Sequence, residues 1–158
     1  FVEQTIHITD MLRFLCGEVT EVYAAFASRV LHRREENVTV PDVGSVTMKL
    51  KNGGVATISN ACLLPYEIKV GLDLYTDRGC LEIRGSGLRH VKKLNDVTEY
   101  PTDVSAHERE DVAFIKALQT GDGSHILSDY EDAFRTHAVV IAANESAASG
   151  APVRLNGG

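Results

Sequence analysis

The chain has 158 residues, 44% of them hydrophobic and 24% charged, with a formal charge of −6. That length suits a single domain spanning 1–158, able to bury about 70% of its unfolded surface. The acidic balance argues against a nucleic-acid partner, and no apolar run approaches the ~20 residues of a membrane span.

The first predicted element is a helix that opens at Glu3-Gln4-Thr5-Ile6-His7 and stops near Gly17, with Ile8, Met11, Leu12 and Leu15 on its apolar side. The period then changes to two: over 18–30, Val22, Ala24, Phe26 and Val30 alternate with Tyr23, Ala25 and Arg29. The polar stretch 31–40 reads as a loop. Strands at 43–50 and 55–63 flank Lys51-Asn52-Gly53-Gly54, and Asn-Gly is a strong hairpin signal. Pro65 breaks the chain. Tyr66–Tyr75 alternates cleanly and pairs with 80–83 across Asp77-Arg78-Gly79, and two shorter strands follow near 88–94 and 97–100. From Ser105 the period returns to 3.6, with a stripe of Val112, Ile115 and Leu118 ended by Gly121. Ser128-Asp129-Tyr130-Glu131 reads as a capping box. The helix it opens is expected to bury Tyr130, Ala133, Phe134, Val140 and Ile141 and to close at Gly150-Ala151-Pro152, before a short strand at 153–155.

Helix, antiparallel strands, then two helices make an α+β fold: a largely antiparallel open sheet with helices packed on one face. The other face, with Val55, Thr57, Ser59 and Ala61, is small and mildly apolar, which suits self-association. Cys16, Cys62 and Cys80 are widely spaced with no CxxC, so the expectation is reduced core thiols in a cytoplasmic protein, without structural zinc or disulfides.

Glu3 and His7 stand four apart on the first helix, so they share a face, and a carboxylate there could orient the ring and raise its basicity. Asp10 follows three residues later, within reach of the same region. Taken alone, such a pair reads first as an ordinary solvated helix pair. As metal ligands it would need a third donor, and none has suitable spacing. His137 and Asn144 on the last helix read as satisfied buried polar groups. Arg89-His90-Val91-Lys92-Lys93 reads as a solvated strand edge, and His107 as an exposed residue near a helix start. GxGxxG, GxxxxGK and GxSxG are all missing, so nothing in the chain can cradle a dinucleotide.

Four segments in order carry a resemblance. They are Val2-Glu3-Gln4-Thr5-Ile6-His7-Ile8-Thr9-Asp10 with Arg13-Phe14-Leu15-Cys16-Gly17-Glu18-Val19; Leu50-Lys51-Asn52-Gly53-Gly54-Val55-Ala56-Thr57-Ile58-Ser59; Tyr75-Thr76-Asp77-Arg78-Gly79-Cys80-Leu81-Glu82-Ile83; and the end from Ser128 through Glu145-Ser146-Ala147-Ala148-Ser149-Gly150-Ala151-Pro152-Val153. Together they resemble the carboxyl-terminal domain of the glucose–fructose oxidoreductase/inositol dehydrogenase/MocA family.

The resemblance implies the substrate-binding and oligomerisation domain of an NAD(P)-dependent dehydrogenase acting on a sugar, polyol or related hydroxy compound. The amino-terminal Rossmann domain, which would bind NAD or NADP and carry a catalytic lysine, is absent from this chain, so the chain alone is expected to be inactive. The resemblance makes His7 the general base for the substrate hydroxyl, Glu3 an orienting acid (the family's usual acid there is aspartate), and Asp10 a ligand for a substrate hydroxyl or an anchor of the helix. It also implies a homodimer or homotetramer built through the open sheet face. The alternative is a non-catalytic binding or scaffold module derived from the same family.

Overall fold

The computed structural model describes residues 2–34, 36–64, 66, 69–85, 87–102 and 105–155, with Val2, Glu3 and Gln4 described by backbone alone. Helix α1 (Val2–Cys16) ends where the sequence predicts. Gly17 takes φ +90° and its N–H bonds to the Arg13 carbonyl at 2.8 Å, a left-handed cap that suits glycine. Strand β1 (Val19–Ala27) follows and alternates as expected, with Val22 and Ala24 buried and Tyr23 and Ala25 exposed. The stretch read as a loop holds a short helix, α2 (Leu31–Arg34). Its entry is fixed by Asp42, whose carboxylate accepts the backbone N–H groups of Arg29, Val30 and Leu31.

Burial pulls the Asp42 carboxyl upward, but the three amides outweigh it and leave its pKa below the ordinary aspartate value. A depressed carboxyl stabilises the fold above its unfolded value of ~3.9, and that contribution is lost as pH falls through the lower folded value. Asp42→Ala should therefore lower the thermal midpoint at pH 7 by roughly 2–8 °C. The difference from wild type should shrink as the solution is acidified towards pH 3, read by circular dichroism melts. A constant difference across that range would refute the assignment.

Strands β2 (Val43–Leu50) and β3 (Val55–Ala61) form the predicted hairpin, with Gly53 at φ +88°. Asn52 accepts the Gly54 N–H through its side-chain oxygen and donates to the Cys16 carbonyl, tying the turn to the end of α1. Helix α4 (Tyr130–Ser149), closed by Gly150 at φ +70°, leads to β8 (Val153–Arg154), and the four strands lie in the antiparallel order β3-β2-β1-β8. One face of this sheet is buried through Val22, Ala24, Val46, Met48 and Ile58, together with Leu12 of α1 and Val139, Val140, Ala142 and Ala143 of α4. These elements belong to one compact unit, Phe1–Glu67 with Glu131–Gly158.

The face that α4 buries differs from the expected one. Val140 is buried, but Tyr130, Ala133, Phe134 and Ile141 are exposed. The inward stripe is Thr136, Val139, Val140, Ala142, Ala143 and Ser146, mostly small side chains that let a helix lie close on a sheet. His137 is exposed and Asn144 half-buried, so neither is the enclosed polar group expected. Ser146, fully buried, accepts the Ala24 N–H at 2.9 Å and donates to the Ala151 carbonyl at 2.7 Å.

The second unit, Ile68–Tyr130, is a meander of β4 (Gly71–Thr76), β5 (Gly79–Arg84), β6 (Gly87–Lys93) and β7 (Asp96–Pro101), followed by α3 (Ala106–Thr120). The predicted start of β4 at Tyr66 gives way to Gly71, with Glu67 and Ile68 outside the described residues. Gly79 is required: at φ +123° a Cβ there would lie 2.3 Å from the Val91 carbonyl oxygen. Ser105 caps α3 by accepting the Glu108 N–H, and Gly121 ends it. Its stripe of Val112, Ile115 and Leu118 is exposed. The fold is thus α+β and antiparallel as expected, with its strands divided into two four-stranded sheets where a single one was expected. No described helix is long and apolar enough to cross a membrane.

Candidate functional site

Thr5, Thr9, Leu12 and Arg13 turn the inner side of α1 towards the core, and Thr9 ties its hydroxyl back to the Thr5 carbonyl at 2.9 Å. A second stripe runs through positions 3, 7, 10 and 14 and borders the inner side at Asp10, whose Oδ1 lies 3.9 Å from an Arg13 nitrogen. On it His7 is exposed, the Asp10 side chain is 39% exposed, and Phe14 is exposed. The backbone of Glu3 is helical one turn before His7, while its side chain lies outside the described residues. His7 and Asp10 therefore share an accessible surface one turn of helix apart.

Beneath this stripe lies a charged network. The Arg13 side chain is 3% exposed, and each of its five N–H groups has an acceptor. Nε and one Nη engage the two oxygens of Glu18 at 3.1 and 2.8 Å. The remaining bonds reach Asp132 Oδ1 at 2.9 Å, the Asp132 carbonyl at 3.0 Å and Thr136 Oγ1 at 2.6 Å. Burial alone would lower the arginine's pKa, but the Glu18 and Asp132 partners outweigh it and raise it. The Arg13 bond holds the Glu18 carboxyl below its ordinary value. Thr136 in turn donates to Asp10 Oδ1 at 2.5 Å, so the structure brings Asp10 onto α4 as well as beside His7. Asp132 and Thr136 were not legible as site neighbours, because they stand more than a hundred residues from α1.

Cys16, Cys62 and Cys80 are half-buried, not core, residues. Burial pushes the Cys16 and Cys80 thiols up, which leaves little thiolate at neutral pH. Among the described residues no three His, Cys, Asp or Glu side chains gather as a metal site. A groove of about 440 Å³ lies along α4 and β8, between Phe134, His137, Ile141, Glu145, Arg154 and Leu155. Every strand pairing among the described residues is antiparallel, so no strand–turn–helix crossover offers a dinucleotide its phosphate cradle.

The model of one family, described as the GFO/IDH/MocA C-terminal domain, matches residues 1–86. Similar solved structures include an Agrobacterium radiobacter oxidoreductase in complex with NAD+, L-tartaric acid and magnesium, with TM-score 0.71 and 23% identity over 98% of this chain and 48% of that one. The WlbA dehydrogenase from Bordetella pertussis, in complex with NADH and UDP-GlcNAcA, gives TM-score 0.63 and 19% identity over 98% and 44%. A levoglucosan dehydrogenase in complex with NADH and L-sorbose gives TM-score 0.72 and 20% identity over 96% and 49%. The chain thus spans about half the length of these structures. No curated protein matches it significantly.

Proposed function

Because the chain belongs to the GFO/IDH/MocA C-terminal domain family, we propose that it is the substrate-binding and oligomerisation domain of a cytoplasmic NAD(P)-dependent oxidoreductase acting on a sugar, polyol or related hydroxy compound. The observation that carries this reading is the family match over 1–86, which contains Glu3, His7 and Asp10 together. When bound elsewhere in the complete protein, the nicotinamide supplies the hydride acceptor or donor. This chain's part is proton handling and orientation. His7 takes the proton of the substrate hydroxyl at a ring nitrogen and returns it in the reverse direction. Glu3 orients ring or substrate, and Asp10 accepts a second substrate hydroxyl with the exposed part of its carboxylate. The NAD+ and NADH complexes of similar structures support the cofactor class, and the tartaric acid and sorbose bound in two of them support a polyhydroxylated substrate.

The test is nicotinamide absorbance on the complete protein with NAD or NADP and a panel of myo-inositol, D-glucose, L-sorbose and D-gluconate. Turnover on any member supports the reading, whereas failure to bind either cofactor favours a non-catalytic module.

Assembly is proposed through the open face of the first sheet. There Tyr23, Thr47 and Thr57 lie side by side across three strands, as do Ala25, Ser45 and Ser59, and all are exposed. None of these side chains is charged and all but Tyr23 are short, which permits close face-to-face packing. Thr47→Arg at the centre should convert a dimer or tetramer to monomers in sedimentation equilibrium. An unchanged mass would move the interface elsewhere.

A further inference from the structure

Thr136 stands between a buried cation and a carboxylate of the candidate site. Its hydroxyl oxygen lies 2.6 Å from an Arg13 nitrogen and 2.5 Å from Asp10 Oδ1. A guanidinium only donates, so the hydroxyl oxygen accepts from Arg13 and its single proton goes to Asp10. A helical threonine often turns that proton back to the carbonyl four residues earlier. Here that carbonyl, of Asp132, is engaged by the same Arg13 nitrogen at 3.0 Å. Thr136 is 2% exposed and Arg13 5%, so water does not compete at either. Asp10 is the one member of the chain Arg13–Thr136–Asp10 that also opens on the His7 surface.

We propose that Thr136 is a positioning residue for the reaction: it passes the directionality of the buried Arg13 donor to Asp10 and so sets the angle at which that carboxylate meets a substrate hydroxyl. The inference rests on the reading of this helix surface as the substrate site. A tie between α1 and α4 alone would not need it, because Arg13 already joins them through Asp132.

Thr136→Val keeps the shape and deletes the proton, and Thr136→Ser restores it. In the complete protein, with the best-used member of the panel, Thr136→Val should raise KM about ten-fold, the worth of one hydrogen bond, with kcat within about two-fold. Thr136→Ser should return KM to the wild-type value, and Thr136→Val placed on Asp10→Ala, which has no oxygen left to position, should add no further rise. The carboxyl carbon-13 resonance of Asp10, followed without substrate, should move in Thr136→Val and stay in place in Thr136→Ser. Thr136→Ala takes the same arm if the valine variant does not fold.

An unchanged KM, a rise equally large on Asp10→Ala, or failure of serine to rescue overturns the positioning role while leaving the functional reading in place. A carboxyl resonance that stays put overturns the contact itself. No turnover on any panel member overturns the functional reading and, with it, the role of Thr136 in substrate binding, even where the resonance moves.

Discussion

Alanine at position 7 in the complete protein should lower kcat by roughly 10²–10⁴, the usual worth of a positioned general base. The fold should be untouched. His7 is exposed on α1, and truncation of an exposed side chain rarely moves stability by more than about 0.5 kcal/mol. Activity and stability are therefore separable at this position: turnover measured by nicotinamide absorbance should collapse while the thermal midpoint holds. Substrate binding should change far less than kcat, because the lost interaction is proton transfer in the transition state. An unchanged rate removes His7 from the chemistry.

The second large effect is on stability. Arg13→Met should destabilise the first unit by about 3 kcal/mol, because removing one partner of a buried ion pair strands the others. The figure belongs at the low end of such losses, since Glu18 and Asp132 are each 39% exposed at the side chain and water shields part of their charge. For a chain of this size that corresponds to a midpoint lower by roughly 6–12 °C. Lysine should not rescue it: one ammonium cannot meet both oxygens of Glu18, the Asp132 carboxylate and carbonyl, and Thr136 in their fixed directions. The pH dependence gives an internal check. Glu18 is held below its ordinary value chiefly by its bond to Arg13, so its contribution is present above the unfolded value of ~4.3 and fades as pH falls through the folded one. Arg13→Met should flatten that part of the acid limb, measured by urea titrations from pH 6 to pH 3. A limb as steep as the wild type's would show that Arg13 does not set it.

Punctuation by glycine was the most legible layer of the chain. Gly17, Gly53, Gly121 and Gly150 all take positive φ where the sequence asks for a cap or a turn, since only there does the missing Cβ decide the conformation. Strand alternation was legible for the same local reason. The orientation of α4 was not. Its largest apolar residues, Tyr130 and Phe134, are exposed while Ala142, Ala143 and Ser146 are buried, because closeness of approach to the sheet, not side-chain size, sets which stripe turns inward.

At the candidate site, the spacing of positions 3, 7 and 10 was readable from helical geometry alone. The support beneath it was not, since Arg13 meets Asp132 and Thr136 across 119 and 123 residues, distances no local window spans. One signal was available: an arginine directly after the buried Leu12, on the inward side of an amphipathic helix, calls for acidic partners somewhere in the fold.

Strand β1 borders β2 along its length but meets β8 only at Glu21 and Val22, with the Leu155 N–H reaching the Thr20 carbonyl just before them. Two residues further on, the Ala24 amide would face outward as an open donor, were it not taken by the hydroxyl of Ser146. A helix side chain thus serves as the last rung of the ladder. A strand from another molecule that approached this side would find the rung occupied and α4 in its path. The opposite border of this sheet is β3. Should this sheet pair with a strand from another molecule, it would do so along β3, and inhibitors of that pairing belong there.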